Sequence, residues 1–372
     1  MTARSPEQST GWGPQPGEND EPPFVSIVVP VRNEGRFIRR TLEALLHQDY
    51  DPERFEVLVA DGESTDDTVR IVRDMQPQHG NLRLLANPRR WSSAGRNRAV
   101  TAARGDVLVV VDGHCELSGP DYLTRLMAAF RRSGAACIGR PQPLDVTGAS
   151  RLQRAVAVAR SSWLGHHPES HIYSDREAWV RPQSVAVAYH RSVFEMVGLF
   201  DESFDACEDV EFNHRVDRAG LDCFFTPDVA VRYHPRGSLA GLFRQMVRYG
   251  RGRVRLLCKH PETFSPLCLA PGLWVLGLVV GPLLAWFSTW LALVYGGALG
   301  FYALVVSAVS ASLAWRQRDA TLLAWLPPVF AAIHAGAGAG IVQELVARLF
   351  AGPVESKATH GWEAVGAGTA PK

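Results

Sequence analysis

Two hydrophobic rhythms alternate over the first hundred residues that carry any pattern. Residues 25–30 form a short β-branched run, Val25-Ser-Ile-Val-Val-Pro30, of the kind buried on both faces of a parallel sheet. Apolar positions then shift to helical spacing at Phe37, Ile38, Leu42, Leu45 and Leu46. The exchange repeats, with strands expected over 55–60, 82–86 and 107–111 and helices over 68–75 and 94–103. Regular alternation of this sort predicts a doubly wound α/β sheet, whose ligands bind at the carboxyl ends of the strands. Polar residues directly after each strand are therefore the first candidates for chemistry.

Residues 135–235 are less regular. Strands are expected at 137–139, 185–188, 223–226 and 229–233, and a helix at 210–218. The last third changes character again, because no charged residue occurs from 263 to 315. About 20 apolar residues cross a bilayer, so this run predicts two spans, broken near Gly296-Gly297 or slightly earlier. The loop Arg316-Gln-Arg-Asp319 precedes a second uncharged run, 320–343, expected as a third span. Cations before the first span and in the 316–318 loop place the N-terminal part in the cytoplasm and the tail from about 351 outside. The chain is thus expected in the cell membrane as a multi-pass protein. Residues 1–23, rich in Pro and Gly, are expected to be a disordered tail, with no apolar segment resembling a signal peptide.

Composition changes this picture little. With 39 basic and 38 acidic residues among 372, the net charge of +1 creates no global field that would recruit nucleic acid. The mean hydropathy of −0.05 hides the split between a polar and an apolar part. Six cysteines, without a Cys-x-x-Cys pair, read as reduced thiols rather than a disulfide scaffold or zinc cluster.

Four acidic positions fall near expected strand ends or helix starts: Glu34, Asp61, Asp112 and, much later, Asp209. One carboxylate after a strand commonly caps a helix, a role that Asp66 or Asp67 fits before Thr68. Several converging on one sheet edge repel each other and call for a cation. A hard divalent ion held by one or two carboxylates and substrate phosphates meets that need. Arg96 and Asn97 open the third helix, where free N–H groups and a guanidinium suit phosphate.

These residues together resemble the family 2 glycosyltransferases, whose nucleotide-sugar-binding domain has the GT-A fold. The resemblance rests on Val25-Ser-Ile-Val-Val-Pro-Val-Arg-Asn-Glu34, Asp61-Gly-Glu-Ser-Thr-Asp-Asp67, Ala94-Gly-Arg-Asn97, Val109-Val-Val-Asp112, Val197-Gly-Leu-Phe-Asp-Glu202, Glu208-Asp-Val-Glu211 with Arg215, and Gln245-Met-Val-Arg-Tyr249. It covers roughly residues 24–258. Asp112-Gly-His114 and Tyr233-His-Pro-Arg236 look most like the membrane-anchored enzymes of succinoglycan-type exopolysaccharide synthesis. The resemblance implies a nucleotide-sugar donor, a divalent cation and inverting transfer. Pro30, Arg32, Glu34, Asp61, Arg96 and Asp112 would hold the nucleotide sugar; Asp209 would be the catalytic base, with Glu208 beside it and Arg215 helping to hold its charge. Gln245, Arg248 and Tyr249 match the family's Q-x-x-R-W element on the acceptor side, with Tyr in place of Trp. Asp112 begins the family's D-x-D metal motif, but the third position is His114, a better partner for Mn²⁺ than for Mg²⁺. His234 is a further candidate metal ligand, and His166, His167 and His171 mark an acceptor or lid loop.

Leu239, Leu242, Phe243, Met246, Val247 and Val254 follow helical spacing, interleaved with Arg244, Arg248, Arg251, Arg253, Arg255 and Lys259. Such a segment is expected to lie on anionic membrane lipid. The expected organisation is a GT-A domain over 24–238, an interfacial helix over 239–262, about three spans over 263–350 and a tail over 351–372. The expected activity is transfer of one sugar to a lipid-linked (polyprenyl) or glycan acceptor. Two rivals are a polyprenyl-phosphate glycosyl synthase and a catalytically inactive membrane scaffold or transport subunit.

Overall fold

The computed structural model describes residues 21–117, 119–166 and 171–350. Both expected tails, apart from residues 21–23, and His167 lie outside the described residues.

The first half builds as its rhythm predicts. β1 (Val25–Val31), α1 (Ile38–Leu46), β2 (Phe55–Asp61), α2 (Thr68–Met75), β3 (Leu82–Ala86), α3 (Ser92–Ala102) and β4 (Val107–Val110) follow in strict alternation. β1 and β2 are buried along their whole length, which explains their continuous apolar runs. Five elements were not anticipated: β5 (Cys115–Leu117), α4 (Tyr122–Ser133), α5 (Arg151–Arg160), β7 (Ala178–Val180) and α6 (Arg191–Val197). α4 has an apolar face, Tyr122, Leu123, Leu126, Met127 and Phe130, and ends at Gly134 with φ of 62°, the left-handed conformation that stops a helix. The expected short elements appear as β6 (Cys137–Gly139), β8 (Ala186–His190), α7 (Glu208–Arg218), β9 (Cys223–Phe225) and β10 (Val231–Tyr233).

Among the described residues the strands form an eight-stranded sheet of order β3-β2-β1-β4-β8-β6-β9-β7 and a two-stranded β10-β5 ribbon. β3, β2, β1 and β4 are parallel, whereas β8 runs antiparallel to both β4 and β6. The chain moves outward from β1 to β3 and returns on the other side of β1 to β4. The strand order reverses there, so the carboxyl ends of β1 and β4 open a crevice between the loops that follow them. The loop after β1 is tied to the loop after β2: Thr68 Oγ1 accepts from the Glu34 N–H at 2.8 Å, and Asp66 accepts from the Gly35 N–H at 2.9 Å. Asp66 also accepts from the Thr68 N–H at 3.0 Å, the helix-opening role expected of it.

α8 (Leu239–Lys259) is the predicted amphipathic helix. Four of its six cations are held within the protein, while Arg244 and Arg253 are exposed. Arg251 and Arg255 pair with Glu344 at 3.2 and 2.9 Å, Arg255 also with Asp205 at 2.7 Å, and Lys259 with Asp201 and Glu211 at 2.6 and 2.8 Å. Arg248 donates to the Asp205 carbonyl. α8 is therefore fastened to the sheet domain.

Three helices, α9 (Pro266–Phe287), α10 (Thr289–Gln317) and α11 (Leu322–Phe350), are long and apolar enough to cross a membrane. The break between the first two falls at Ser288, in extended conformation, on the earlier side of Gly296-Gly297, which lie inside α10. In an apolar segment the backbone keeps its helical hydrogen bonds through glycine for want of other partners. α11 packs against α8 through Gly336 and Gly340. A Cβ at Gly340 would stand 2.1 Å from the Val247 carbonyl oxygen. Gly340→Val should therefore destabilise the protein by about 1–3 kcal/mol or more, whereas Gly277→Ala, with nothing near its added methyl, should be neutral or stabilising. Thermal unfolding of both variants in detergent checks this; equal melting temperatures would refute the close α8–α11 packing.

Candidate active site

The crevice opens into a cavity of about 520 Å³. Pro30, Arg32 and Glu34 line it from the loop after β1, Asp112 and His114 from the loop after β4, and Arg96 from α3. Glu208 and Asp209 enter from the first turn of α7, and Gln245, Arg248 and Tyr249 from α8. Thus the fold gathers residues widely separated in sequence into one space. Asp61 alone among the expected sugar-nucleotide residues is absent from the lining. It ends β2, with Oδ2 accepting from the Ser64 N–H at 3.1 Å and Oδ1 buried without a partner.

Arg96 organises the charge. Its guanidinium, buried in the second turn of α3, lies 3.7 Å from Asp112 and 3.5 Å from Glu208, and 5.4 Å from the Phe200 ring. Burial alone would depress its pKa; the charges of Glu208 and then Asp112 outweigh that and raise it. It lines the cavity while sitting between two carboxylates. Burial tends to raise the Asp112 pKa, but Arg96, His114 and the Tyr233 hydroxyl, which donates to Oδ2 at 3.0 Å, lower it. Asp112 is therefore ionised at neutral pH. Burial leaves Glu208 raised despite Arg96.

The metal-ligand set expected from Asp112, His114 and His234 is divided. His114 Nδ1 lies 2.9 Å from Glu34 Oε1. His234 stacks on Phe37 at 5.1 Å and turns Nε2 to Glu116 Oε1 at 3.1 Å, so it belongs with Glu116 and Asp145 on the neighbouring ribbon. The ribbon pairing Tyr233 with Cys115 decides this: it aims Tyr233 at Asp112 and carries His234 past it. The other group of donors within ion-sharing distance among the described residues, His214, His260 and Glu262, also excludes Asp112. Asp112 still fits a divalent ion, because it is ionised, partly exposed and opens on the cavity, and a hard cation bound with substrate phosphates needs only one or two protein carboxylates.

Asp209 is exposed, and its Oδ1 accepts from the Val210 N–H at 2.9 Å. It is not the helix cap, a position held by Cys207 with φ of 63°. Arg215 does not support it. Six positions on, that side chain pairs with Glu211 at 3.0 Å, four residues away on the same helix face, and with the Val197 and Leu199 carbonyls. On α8, Gln245 donates to the Tyr249 hydroxyl at 3.3 Å, and the Arg160 guanidinium stands 5.7 Å over the Tyr249 ring.

Arg140 was missed by sequence reasoning, and Tyr233, quoted there only within a motif, was given no role of its own. Arg140, fully buried directly after β6, donates to the Val110 carbonyl at 3.0 Å and to the Tyr122 hydroxyl. Inspection of every residue after a strand would have found it. Seven arginines and four carboxylates line the cavity, a net positive lining suited to an anionic ligand.

This is an α/β protein with a cavity at the topological switch point of its sheet, lined by carboxylates and arginines together. The Glycosyl transferase family 2 model matches residues 26–198, and the Glycosyl transferase family group 2 model matches residues 117–306. The succinoglycan biosynthesis protein ExoA of Rhizobium meliloti is 33% identical over 275 residues, which cover 72% of this chain and 80% of that one. A dolichyl N-acetyl-α-D-glucosaminyl phosphate 3-β-D-2,3-diacetamido-2,3-dideoxy-β-D-glucuronosyltransferase of Methanococcus voltae is 25% identical over 246 residues, 63% of this chain and 74% of that one. The mannosyltransferase PcManGT from Pyrobaculum calidifontis, solved with GDP-Man and Mn²⁺, superposes with a TM-score of 0.57 at 22% identity, covering 88% of this chain and 89% of that one. The chain belongs to glycosyltransferase family 2, and its sheet domain has the GT-A fold.

His114 links the site to pH. Burial would lower its pKa, but the bond to Glu34 and the charge of Asp112 leave it raised above 6.5. A group raised by folding stabilises fully below its unfolded pKa and loses that contribution as pH rises through the folded value. His114→Gln should therefore melt lower than the parent at pH 6, and the gap should narrow at pH 9. A gap constant across that range would exclude a protonated His114–Glu34 pair.

Proposed function

We propose that this glycosyltransferase is a metal-dependent, inverting enzyme that moves a sugar from a nucleotide-sugar donor to a lipid-linked or glycan acceptor at the cytoplasmic membrane face, in exopolysaccharide or cell-envelope glycan synthesis. The observation that carries the reading is the common cavity. Asp112 and Asp209, far apart in the chain, line the same space, one at the switch point and one at the start of α7. Inverting displacement at an anomeric carbon needs two such stations: stabilisation of the leaving diphosphate and a base for the acceptor hydroxyl.

In this reading the sheet edge takes the donor. Glu34 would face the nucleoside and Arg32 the diphosphate, Asp61 would act from behind by holding the loop after β2 through Ser64, and Asp112 would hold a divalent cation, which supplies Lewis-acid stabilisation of the leaving diphosphate. Arg96 keeps Asp112 ionised and in place. Asp209 accepts the proton of the acceptor hydroxyl, and Gln245, Arg248 and Tyr249 face the acceptor. The Methanococcus relative, named for transfer to a dolichyl-linked sugar phosphate, and the ExoA relative, named for succinoglycan biosynthesis, support a carbohydrate hydroxyl as acceptor.

A donor screen with a membrane lipid extract, read by mass spectrometry, tests the reaction. The expected product carries a new glycosidic bond on a lipid-linked sugar; a glycosyl phosphate would instead identify a polyprenyl-phosphate glycosyl synthase. Absence of turnover with every donor would favour the inactive scaffold. Excess chelator should abolish transfer, and Mn²⁺ should restore it at least as well as Mg²⁺; full activity in chelator would remove the metal role. Asp209→Asn keeps the bond to the Val210 N–H but cannot take a proton, so turnover should fall by about 10²–10⁴ with donor binding retained. Near-normal turnover would refute Asp209 as base.

A further inference from the structure

We infer that α11 does not cross the bilayer but lies along its cytoplasmic surface as the platform beneath the active site, leaving the α9–α10 hairpin to span. This rests on the membrane reading above and revises its topology.

From Leu322 to Glu344 α11 is about 33 Å long, as long as a bilayer core is thick. A spanning helix of that length would leave one end far from a cytoplasmic domain. Both ends of α11 are instead bound to the sheet domain or to helices fastened to it. At its start, Leu326, Val329 and Phe330 are buried in one apolar cluster with Ala155, Val156 and Ala159 of α5. In the middle, His334 Nε2 lies 3.0 Å from the Leu164 carbonyl oxygen. Near its end, Glu344 pairs with Arg251 and Arg255 of α8, and Arg255 continues to Asp205 in the sheet domain. Glu344 cannot face the far side of a membrane while it holds that pair.

The hairpin touches α11 along one side, through the Tyr302 hydroxyl 2.9 Å from His334 Nδ1 and through Pro271 against Gly338, but is otherwise bare. Only 6% of the most apolar window of either α9 or α10 is buried, against 44% for α11. Around the turn at Ser288 the rings of Trp286, Phe287 and Trp290 are almost fully exposed, and at the other end of α10 Trp315 is exposed beside Arg316. From Trp290 to Trp315 is about 37 Å along a helix, so the two ends place aromatic rings at the two interfaces of a bilayer, with cations on the cytoplasmic one.

The consequence for function is a short path. α5 and α8 rest on α11 with one face and present Arg160, Gln245, Arg248 and Tyr249 to the cavity with another. The acceptor side therefore lies about one helix diameter, 8–10 Å, above the lipid surface, which suits an acceptor sugar carried on a membrane lipid.

Thiol labelling in intact cells with a membrane-impermeant maleimide tests the topology on the full chain, with the parent protein as blank. Ser288→Cys should be labelled from outside. Ser356→Cys should be labelled only after permeabilisation, and a fluorescent reporter fused after Lys372 should be active on the cytoplasmic side. Outside labelling of both positions would restore three spans and overturn the inference while the membrane reading stands. No outside labelling of Ser288→Cys would overturn both.

Discussion

The buried guanidinium of Arg96, held between Asp112 and Glu208, is the constraint on which the site depends. α3 supplies the cation, the β4 edge one carboxylate and α7 the other, so a single side chain joins three elements that no backbone ladder connects. Each partner would be costly alone: two neighbouring carboxylates repel, and an unpaired buried cation or anion costs about 3–5 kcal/mol. The neighbouring bonds follow from this. Asn97, one residue on, donates to the Phe200 carbonyl at 2.8 Å and accepts from its N–H at 2.9 Å, which fixes the segment leading into α7.

The arrangement separates two electrostatic tasks. Asp112, surrounded by Arg96, His114 and the Tyr233 hydroxyl, is set to remain an anion where a diphosphate and cation would meet. Asp209, on the first turn of α7, stays exposed to the cavity while its neighbour Glu208 is turned inward to Arg96. Adjacent positions on a helix point about 100° apart, so a Glu-Asp pair at this place turns one carboxylate to Arg96 and leaves the other exposed at the cavity.

α8 connects the chemistry to the membrane part. Its cations, which by composition suit a lipid surface, are largely used within the protein. Lys259 and Arg255 reach acids of the segment that precedes α7, and Arg251 and Arg255 reach Glu344 on α11. Glycines at 336 and 340 let α11 approach until its backbone lies against the carbonyls of Phe243 and Val247. Gln245, Arg248 and Tyr249, which line the cavity, thereby sit on a helix held by packing against α11 and by ion pairs to the sheet domain.

Much of this was legible in the chain. Continuous apolar runs and period-3.6 spacing located β1 to β4 and their helices almost to the residue, most plainly β1 and β2, which are buried along their whole length. The strand-end rule and the resemblance selected Glu34, Asp112, Glu208 and Asp209, and all four line the cavity. Short elements such as β5, β7 and α6 were not legible, since three to seven residues carry too little periodicity and owe their form to neighbours. Local sequence determined which helices are apolar enough for a membrane and which residue types the site contains. Only the tertiary structure decided who pairs with whom: His234 with Glu116 rather than Asp112, Arg215 with Glu211 rather than Asp209, and Arg251 and Arg255 of α8 with Glu344 and Asp205. Hydrophobic pattern is a property of a segment, but the partner of a charge depends on which distant carboxylate the fold brings within reach.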